Sequence, residues 1–428
     1  MVARSTAGTG EAPVLTVGSA ALKARLARIE RRQSVRAYAL ILPLLLFIVF
    51  AFVVPIVLML FRSVHNPLLG QLLPETLAAL SQWDAAQQPT PPEAAYAALA
   101  RELAHSYTQQ TLGKIATRVN YESDGMRSLI MQTGRRLSRD AEGLRQQDSW
   151  TRALIRIDER WGERHIWATL RTVGQRYTLA YYLAALDRRF DWNGAIVMVP
   201  EQRRIYVQVF ARTLWMSLLI TAVYMVLGYP VAYLLANLSP RVGNLLMIMV
   251  LLPLWTSLLV RTTAWVVILQ REGLLNDLLM LLGLIDERLQ LIFNRFGVAV
   301  AMTHILLPFM ILPMYSVMKT IPPVYMRAAQ SLGATPFAAF WRVYLPQSAP
   351  GIGAGGLLVF ILALGYYITP ALVGGPTDQM VSYFIADHTN RSLNWGLASA
   401  LGGLLLIGVF VVYWVYNRLI GIDQIKLG

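Results

Sequence analysis

Six long apolar runs, at residues 38–61, 209–235, 245–269, 298–318, 351–373 and 397–417, limit this chain more than any other feature. Each supplies about the 20 largely apolar residues that a helix needs to cross a hydrocarbon core about 30 Å thick. The overall balance agrees. The chain is 56% hydrophobic and only 14% charged, whereas soluble domains are about 45–50% apolar and about 25% charged. The expected fold is therefore an all-α membrane protein with six transmembrane helices and a large helical insertion between the first two. This divides the chain into a basic tail (1–37), a first span (38–61), an insertion (62–208) and a core of five spans (209–428), with a long polar loop at 319–350.

Lys and Arg near the span ends set the orientation. The tail carries Lys23, Arg25, Arg28, Arg31, Arg32 and Arg36, and its side of the membrane also receives Arg241, Lys319, Arg327, Arg342, Arg418 and Lys426. Short loops on the other side hold more acids (Glu272, Asp277, Asp286, Glu287, Asp378, Asp387) than bases (Arg271, Arg288, Arg295, Arg391). Both termini are expected in the cytoplasm of a multi-pass cell inner membrane protein. The first run is too long for the apolar region of a signal peptide and no small-residue cleavage site follows it, so it is expected to span. Residues 20–37 read equally as a basic amphipathic helix on the bilayer, with Leu22, Leu26 and Ile29 toward lipid, or as a disordered tail. The insertion holds 19 Lys and Arg and 15 acids. That does not disturb the orientation, since long segments translocate largely regardless of charge. Apolar residues at three- and four-residue intervals predict helices over Met126–Leu144 and Thr151–Leu186.

The net charge of +14 is no signature of nucleic-acid binding, because the cations flank apolar runs and form no stripe with exposed aromatics. Without cysteine there is no disulfide framework and no thiol chemistry. No GxxxxGK[ST], HExxH or GxSxG occurs, so no P-loop, metalloprotease or esterase site is written here. No catalytic residue, metal site or cofactor is expected, and the chain is not read as an enzyme. His304 is the one histidine inside a span. It is either a functional group or a residue hydrogen-bonded between helices.

The loop after the fourth span carries the most information. Pro322 and Pro323 suit the start of a helix, and Gly333 suits its left-handed stop. Thr335 and Pro336 suit the cap and first turn of a second helix, which Pro346 is expected to close. This two-helix hairpin is more than a connection requires, and it resembles the EAA loop of type I ABC importer permeases, whose pattern is E-A-A-x3-G-x9-I-x-L-P. Ala328, Ala329, Gly333, Leu345 and Pro346 stand at the matching positions, Val343 stands for Ile, and Arg327 stands where the pattern has Glu. The resemblance implies an ATPase-coupling element comprising Arg327, Ala328, Ala329, Gly333, Ala334, Leu345 and Pro346. It also implies partners: ABC ATPase subunits that hydrolyse ATP outside this chain, a second permease or a second copy, and an extracytoplasmic solute-binding protein. Leu252-Pro253-Leu254-Trp255-Thr256-Ser257, with Arg261, Ala264-Trp265 and Glu272-Gly273-Leu274-Leu275-Asn276, is similar to the spermidine/putrescine branch of that family.

Residues of the spans leave the solute open. Neither 209–269 nor 298–373 contains an acid, so a polyamine would meet aromatic faces, with Trp255, Trp265, Tyr366 and Tyr367 the candidates for cation–π contact. The same rings suit interfacial belts. Arg261 fits an anionic solute if it faces the pathway, and otherwise snorkels or bonds backbone carbonyls. Gly351–Gly356 opens the fifth span with small residues that suit close helix packing. A secondary transporter would require coupling acids within its spans. A receptor or scaffold working through 62–208 would not require the hairpin.

The cysteine-free chain makes the topology testable. A cysteine introduced within 62–208, at Ser149 for example, should react with a membrane-impermeant thiol reagent in intact cells; labelling only after lysis contradicts the orientation.

Overall fold

The computed structural model describes residues 29, 31, 37–84, 87–139, 149–191 and 193–420, so Lys426 and all of the basic tail except Ile29, Arg31 and Ala37 lie outside the described residues. The chain divides into two units, Met1–Met59 and Leu60–Gly428. The described part of the first is an apolar helix, α1 (Ala37–Arg62), which continues into the second. Its turn Val49–Val53 is π-helical, with the Val54 N–H reaching the Val49 carbonyl. Pro55 follows, and the widened turn accommodates a ring that would press on the carbonyl four residues back.

The second unit opens with α2 (Leu68–Leu72), α3 (Pro74–Ser81), α4 (Glu93–Thr108), α5 (Leu112–Asn120), α6 (Met126–Arg139), α7 (Trp150–Ile157) and α8 (Arg164–Val173). Together they enclose one apolar core that includes Tyr96, Leu103, Ile115, Trp161 and Trp167. Most of the polar atoms within it are paired, although among the described residues the buried Trp83 indole N–H has no partner. The Trp167 indole N–H donates to the Trp161 carbonyl at 2.8 Å, the Tyr96 hydroxyl donates to the same oxygen at 3.0 Å, and the Trp161 indole donates to Thr133 Oγ1 at 2.9 Å. A buried indole without such a partner would be costly. Carboxylates stitch the helix ends. Glu102 accepts the N–H of Glu75 at 2.7 Å and of Thr76 at 3.1 Å. Glu93 accepts the N–H groups of Trp150 and Thr151 and the Ser149 hydroxyl. Burial raises the Glu93 pKa, but the donors of Thr151, Trp150 and Ser149 outweigh it and hold the carboxyl below its ordinary value.

Thr151–Leu186, where periodicity predicts helices, forms three of them in succession. It breaks after α7 at Asp158, whose extended backbone and side-chain bond to the Arg160 N–H start a 3₁₀ turn. It breaks again after α8, before the short α9 (Ala180–Ala185). Ser149 caps α7 and is partly buried, so exposed Gly70, with nothing within 4 Å of an added Cβ, is the better position for the cysteine probe.

A small antiparallel ribbon, β1 (Arg188–Phe190) against β2 (Ile196–Met198), leads into α10 (Tyr206–Asn237). Buried Asp187 caps that long helix from outside it. Its carboxylate accepts the N–H groups of Ile205 at 3.1 Å, Tyr206 at 3.0 Å and Val207 at 2.8 Å, which ties the inserted segment to the membrane part.

The membrane part is built on α10, α13 (Arg295–Thr320) and α15 (Pro336–Gly365), which pack pairwise around buried Met216, Ile220, Tyr224, Met302, Met310 and Met314. α15 approaches α13 so closely that a Cβ on Gly355 would lie 2.9 Å from the Met310 carbonyl oxygen. Among the described residues five helices are long and apolar enough to cross a bilayer, the others being α1 and α18 (Trp395–Arg418). The expected span 245–269 is two helices, α11 (Pro240–Trp255) and α12 (Leu258–Leu281), bent by 95°. Counted as one crossing, the pair makes six spans. Pro253 lacks the N–H that the Met249 carbonyl would need, and Ser257 restarts the helix by accepting the Val260 N–H at 3.3 Å. The expected span 351–373 is displaced as well. α15 begins at Pro336, stops at Gly365, and a break at Tyr366–Tyr367 precedes α16 (Ile368–Val373), where Pro370 denies Tyr366 its helical partner. α17 (Val381–Asn390) precedes α18.

Trp161→Ala in the full chain should destabilise the inserted helices by about 3–5 kcal/mol. Protease cleavage between 93 and 173, followed against temperature in purified protein, should then begin at a lower temperature. An unchanged cleavage profile contradicts a single cooperative core there.

Candidate functional site

The polar loop forms a tight hairpin. α14 (Pro323–Ser331) carries Pro323 in its first turn and ends in a left-handed residue, Gly333, at φ +89°. Three terminal carbonyls are satisfied: the N–H of Leu332 reaches Ala328 at 3.1 Å, that of Gly333 reaches Gln330 at 3.0 Å, and that of Ala334 reaches Ala329 at 3.1 Å. This is a Schellman ending, which favours glycine at the turning position. Thr335 then caps α15, its hydroxyl accepting the Ala338 N–H at 3.2 Å.

Pro346 does not close the second helix. Residues Phe340–Tyr344 are π-helical, the Leu345 N–H bonds the Phe340 carbonyl, and the helix continues through Leu345 and Pro346 into the membrane. The wide turn relieves the contact between the Pro346 ring and the Arg342 carbonyl, as another does before Pro55.

At the tip, Arg327, Ala328 and Gly333 are exposed, while Ala329, Ala334 and Leu345 are half-buried. Leu332 is 90% exposed and Phe337 74%, and Val324, Tyr325 and Trp341 are also exposed. Single exposed apolar residues are ordinary, but five on one capped hairpin make a concentrated apolar surface. Behind the tip, Phe340 and Tyr344 stack at 6.0 Å and meet Tyr233 edge-on at 5.8 and 5.1 Å. The Asn237 side chain donates to the Tyr344 hydroxyl at 3.3 Å, and Lys319 donates to the Ala236 carbonyl at 3.3 Å. The last two turns of α10 thus pack against the base of the hairpin. The sequence carried a signal for this aromatic clasp, in the four-residue spacings Tyr229/Tyr233 and Phe340/Tyr344, which the motif itself does not include.

The second candidate region lies at the two helix breaks. α12 packs on α16, and the hydroxyls of Thr262 and Thr369 are 3.2 Å apart. Arg261 lies beside that contact with its Nε and Nη1 buried and without hydrogen-bond partners, and its charge acts on both His304 and Tyr366. One turn further, the Trp265 indole donates to His304 Nδ1 at 3.3 Å, with ring centroids 5.8 Å apart. Arg261, Trp265, Tyr366 and His304 therefore form one cluster. Trp255, 73% exposed, and Tyr367 flank the breaks, and among the described residues no ring contact joins them to it. The cluster offers an uncompensated cation, indole and phenol faces and a histidine. It holds no nucleophile activated by a base.

A family model described as "Binding-protein-dependent transport system inner membrane component" matches residues 225–420. The spermidine/putrescine transport system permease protein PotB of Escherichia coli (strain K12) is 34% identical over 219 residues, covering 50% of this chain and 80% of that protein. PotB of Haemophilus influenzae is 35% identical over 214 residues, covering 50% and 75%. A crystal structure of a bacterial alginate ABC transporter, in complex with an alginate pentasaccharide-bound periplasmic protein, aligns with a TM-score of 0.43 at 19% identity, covering 50% of this chain and 78% of that one. The inserted segment 62–208 lies outside the family match.

Arg261→Met should leave the isolated, purified chain as stable or more stable, by about 1–3 kcal/mol, because two buried donors without partners disappear. A lowered thermal midpoint would show that the guanidinium is already satisfied within this chain.

Proposed function

The chain belongs to the binding-protein-dependent transport system inner membrane components, the permeases of type I ABC importers, and on that premise we propose that it imports polyamines. It is a multi-pass inner membrane permease subunit. Its proposed partners are two ABC ATPase subunits, a second permease or second copy of itself, and an extracytoplasmic solute-binding protein. In this reading both termini are cytoplasmic, the capped hairpin docks on the ATPase, and ATP is hydrolysed there.

The observation that carries the coupling role is the hairpin itself: a Schellman turn at Gly333 that presents Leu332, Phe337 and Trp341 to solvent. Exposed apolar side chains at the cytoplasmic end of spans cost hydration unless a partner covers them. Identity to the two PotB proteins supports spermidine or putrescine as the solute. Faces of Trp265 and Tyr366 would then hold ammonium groups, with the sibling subunit supplying acids. Arg261 favours a second reading, an anionic solute, because a half-buried cation with two buried donors lacking partners attracts negative charge.

In proteoliposomes holding the complete transporter, binding protein loaded with spermidine or putrescine should stimulate ATP hydrolysis. Stimulation by an anion-loaded binding protein alone selects the second reading.

Gly333→Asp separates coupling from folding. A side chain at φ +89° costs roughly 1–2 kcal/mol of backbone strain, and an added Cβ meets nothing within 4 Å in this chain. The variant should insert in normal amount, yet recover on the order of tenfold less ATPase on co-purification, since the added charge must be desolvated at the contact. Normal ATPase recovery with normal uptake removes the hairpin from the coupling role.

A further inference from the structure

A cavity of about 760 Å³ opens where the inserted helices meet the start of α18. Its wall is cationic. Arg62, Lys114 and Arg118 line it, and among the described residues no Asp or Glu does. Glu122, outside that lining, pairs with Arg118 at 3.0 Å, which leaves Arg62 and Lys114 uncompensated. Among the described residues neither forms an ion pair.

Arg118 supplies the independent sign of a ligand. It is only 5% exposed. Its Nε donates to Asn66 Oδ1 at 3.2 Å, its Nη1 meets Glu122, and its guanidinium lies 4.8 Å from the Tyr181 ring centroid. Its Nη2 is buried and has no hydrogen-bond partner. A guanidinium with two of its nitrogens in place and one left bare is suited to an acceptor entering from the cavity. The first turns of α5 and α18 also line the space, and helix N-termini favour anions.

Location narrows the ligand. Arg62 is the last residue of α1 and lies over the ring of Trp395, the first residue of α18, at 5.3 Å. The cavity is thus level with the ends of two spans, at the membrane interface on the side of the insertion. Leu68 and Leu393 add apolar surface beside the cations. Cationic solutes are repelled here, so this space is separate from a polyamine path.

We infer that this cavity binds a phosphate-bearing anion, the headgroup of an anionic phospholipid seated between the insertion and the last span. The guanidinium of Arg118 and the cations of Arg62 and Lys114 hold the phosphate, and the acyl chains leave along the spans. The insertion would then be fastened to the membrane through a lipid as well as through its own chain.

The purified full chain tests this by its thermal midpoint in the presence of three probes: dihexanoylphosphatidylglycerol, dihexanoylphosphatidylcholine and inorganic phosphate. Phosphatidylglycerol should raise the midpoint and phosphatidylcholine should not. Exposed Arg62 and Lys114 can be changed without opening the core, and Arg62→Gln with Lys114→Gln should demand roughly thirtyfold more phosphatidylglycerol for the same shift. Lys114→Gln alone repeats the comparison if the double variant folds poorly. A midpoint raised equally by inorganic phosphate, and lost in the variant, supports the phosphate site with a free anion as its occupant. Equal responses to the two lipids, or a response that the variant retains in full, overturns the inference.

Discussion

A backbone in hydrocarbon has no water to bond, so every N–H and C=O in the membrane part must find a partner within the protein. That requirement makes the spans helical, and it also governs where they are allowed to stop. At Thr256–Ser257 the chain breaks and Ser257 supplies the cap. At Tyr366–Tyr367 it breaks again, and α16 packs on α12 through Thr262 and Thr369. Asn294 caps α13 through the Gly297 N–H at 2.9 Å. The two breaks thus lie on either side of the contact between α12 and α16, near Arg261, Trp265 and His304. Transport proteins place broken helices at their binding regions because freed backbone groups there can meet a solute.

Packing in the three-helix core suits a machine that changes shape. α13 lends Met302, Met310, Met314 and Met318 to that core, all buried. Methionine is unbranched and adapts to altered surroundings at low cost. Gly355, by contrast, fixes a near contact of backbones that any larger residue would push apart. One element thus combines a surface that tolerates sliding with a point that does not tolerate separation.

The existence of the spans, the hairpin and its glycine stop was legible because each rests on local chemistry. Apolar length predicts a crossing, and a glycine after a helix predicts a left-handed turn. Proline was the ambiguous letter. Pro253 and Pro370 accompany breaks, while Pro308, Pro313 and Pro350 lie inside helices. Pro346, expected to stop a helix, is instead absorbed by a π turn. Which outcome follows depends on neighbours that relieve the clash, and sequence spacing does not reveal them. The convergence of Arg261 with His304 and Tyr366 was likewise hidden, because those residues come from three different segments. The hold of Asp187 on α10 spans only 18 to 20 positions, yet no pattern marks that aspartate among fifteen acids of the insertion.

The π turn before Pro346 has a mechanical consequence. α15 is a shaft of about 45 Å at 1.5 Å per residue, running from the hairpin to the break at Tyr366. One surplus residue in a helix shifts the angular phase of everything beyond it by about 100°, and an ordinary shaft would shed torque by expelling that surplus. Here regular winding would press the Pro346 ring on the Arg342 carbonyl, at a cost of about 3 kcal/mol, so the defect is held in place. The azimuth of the hairpin relative to Tyr366 is thus set in part by that turn, and expelling the surplus residue would change it.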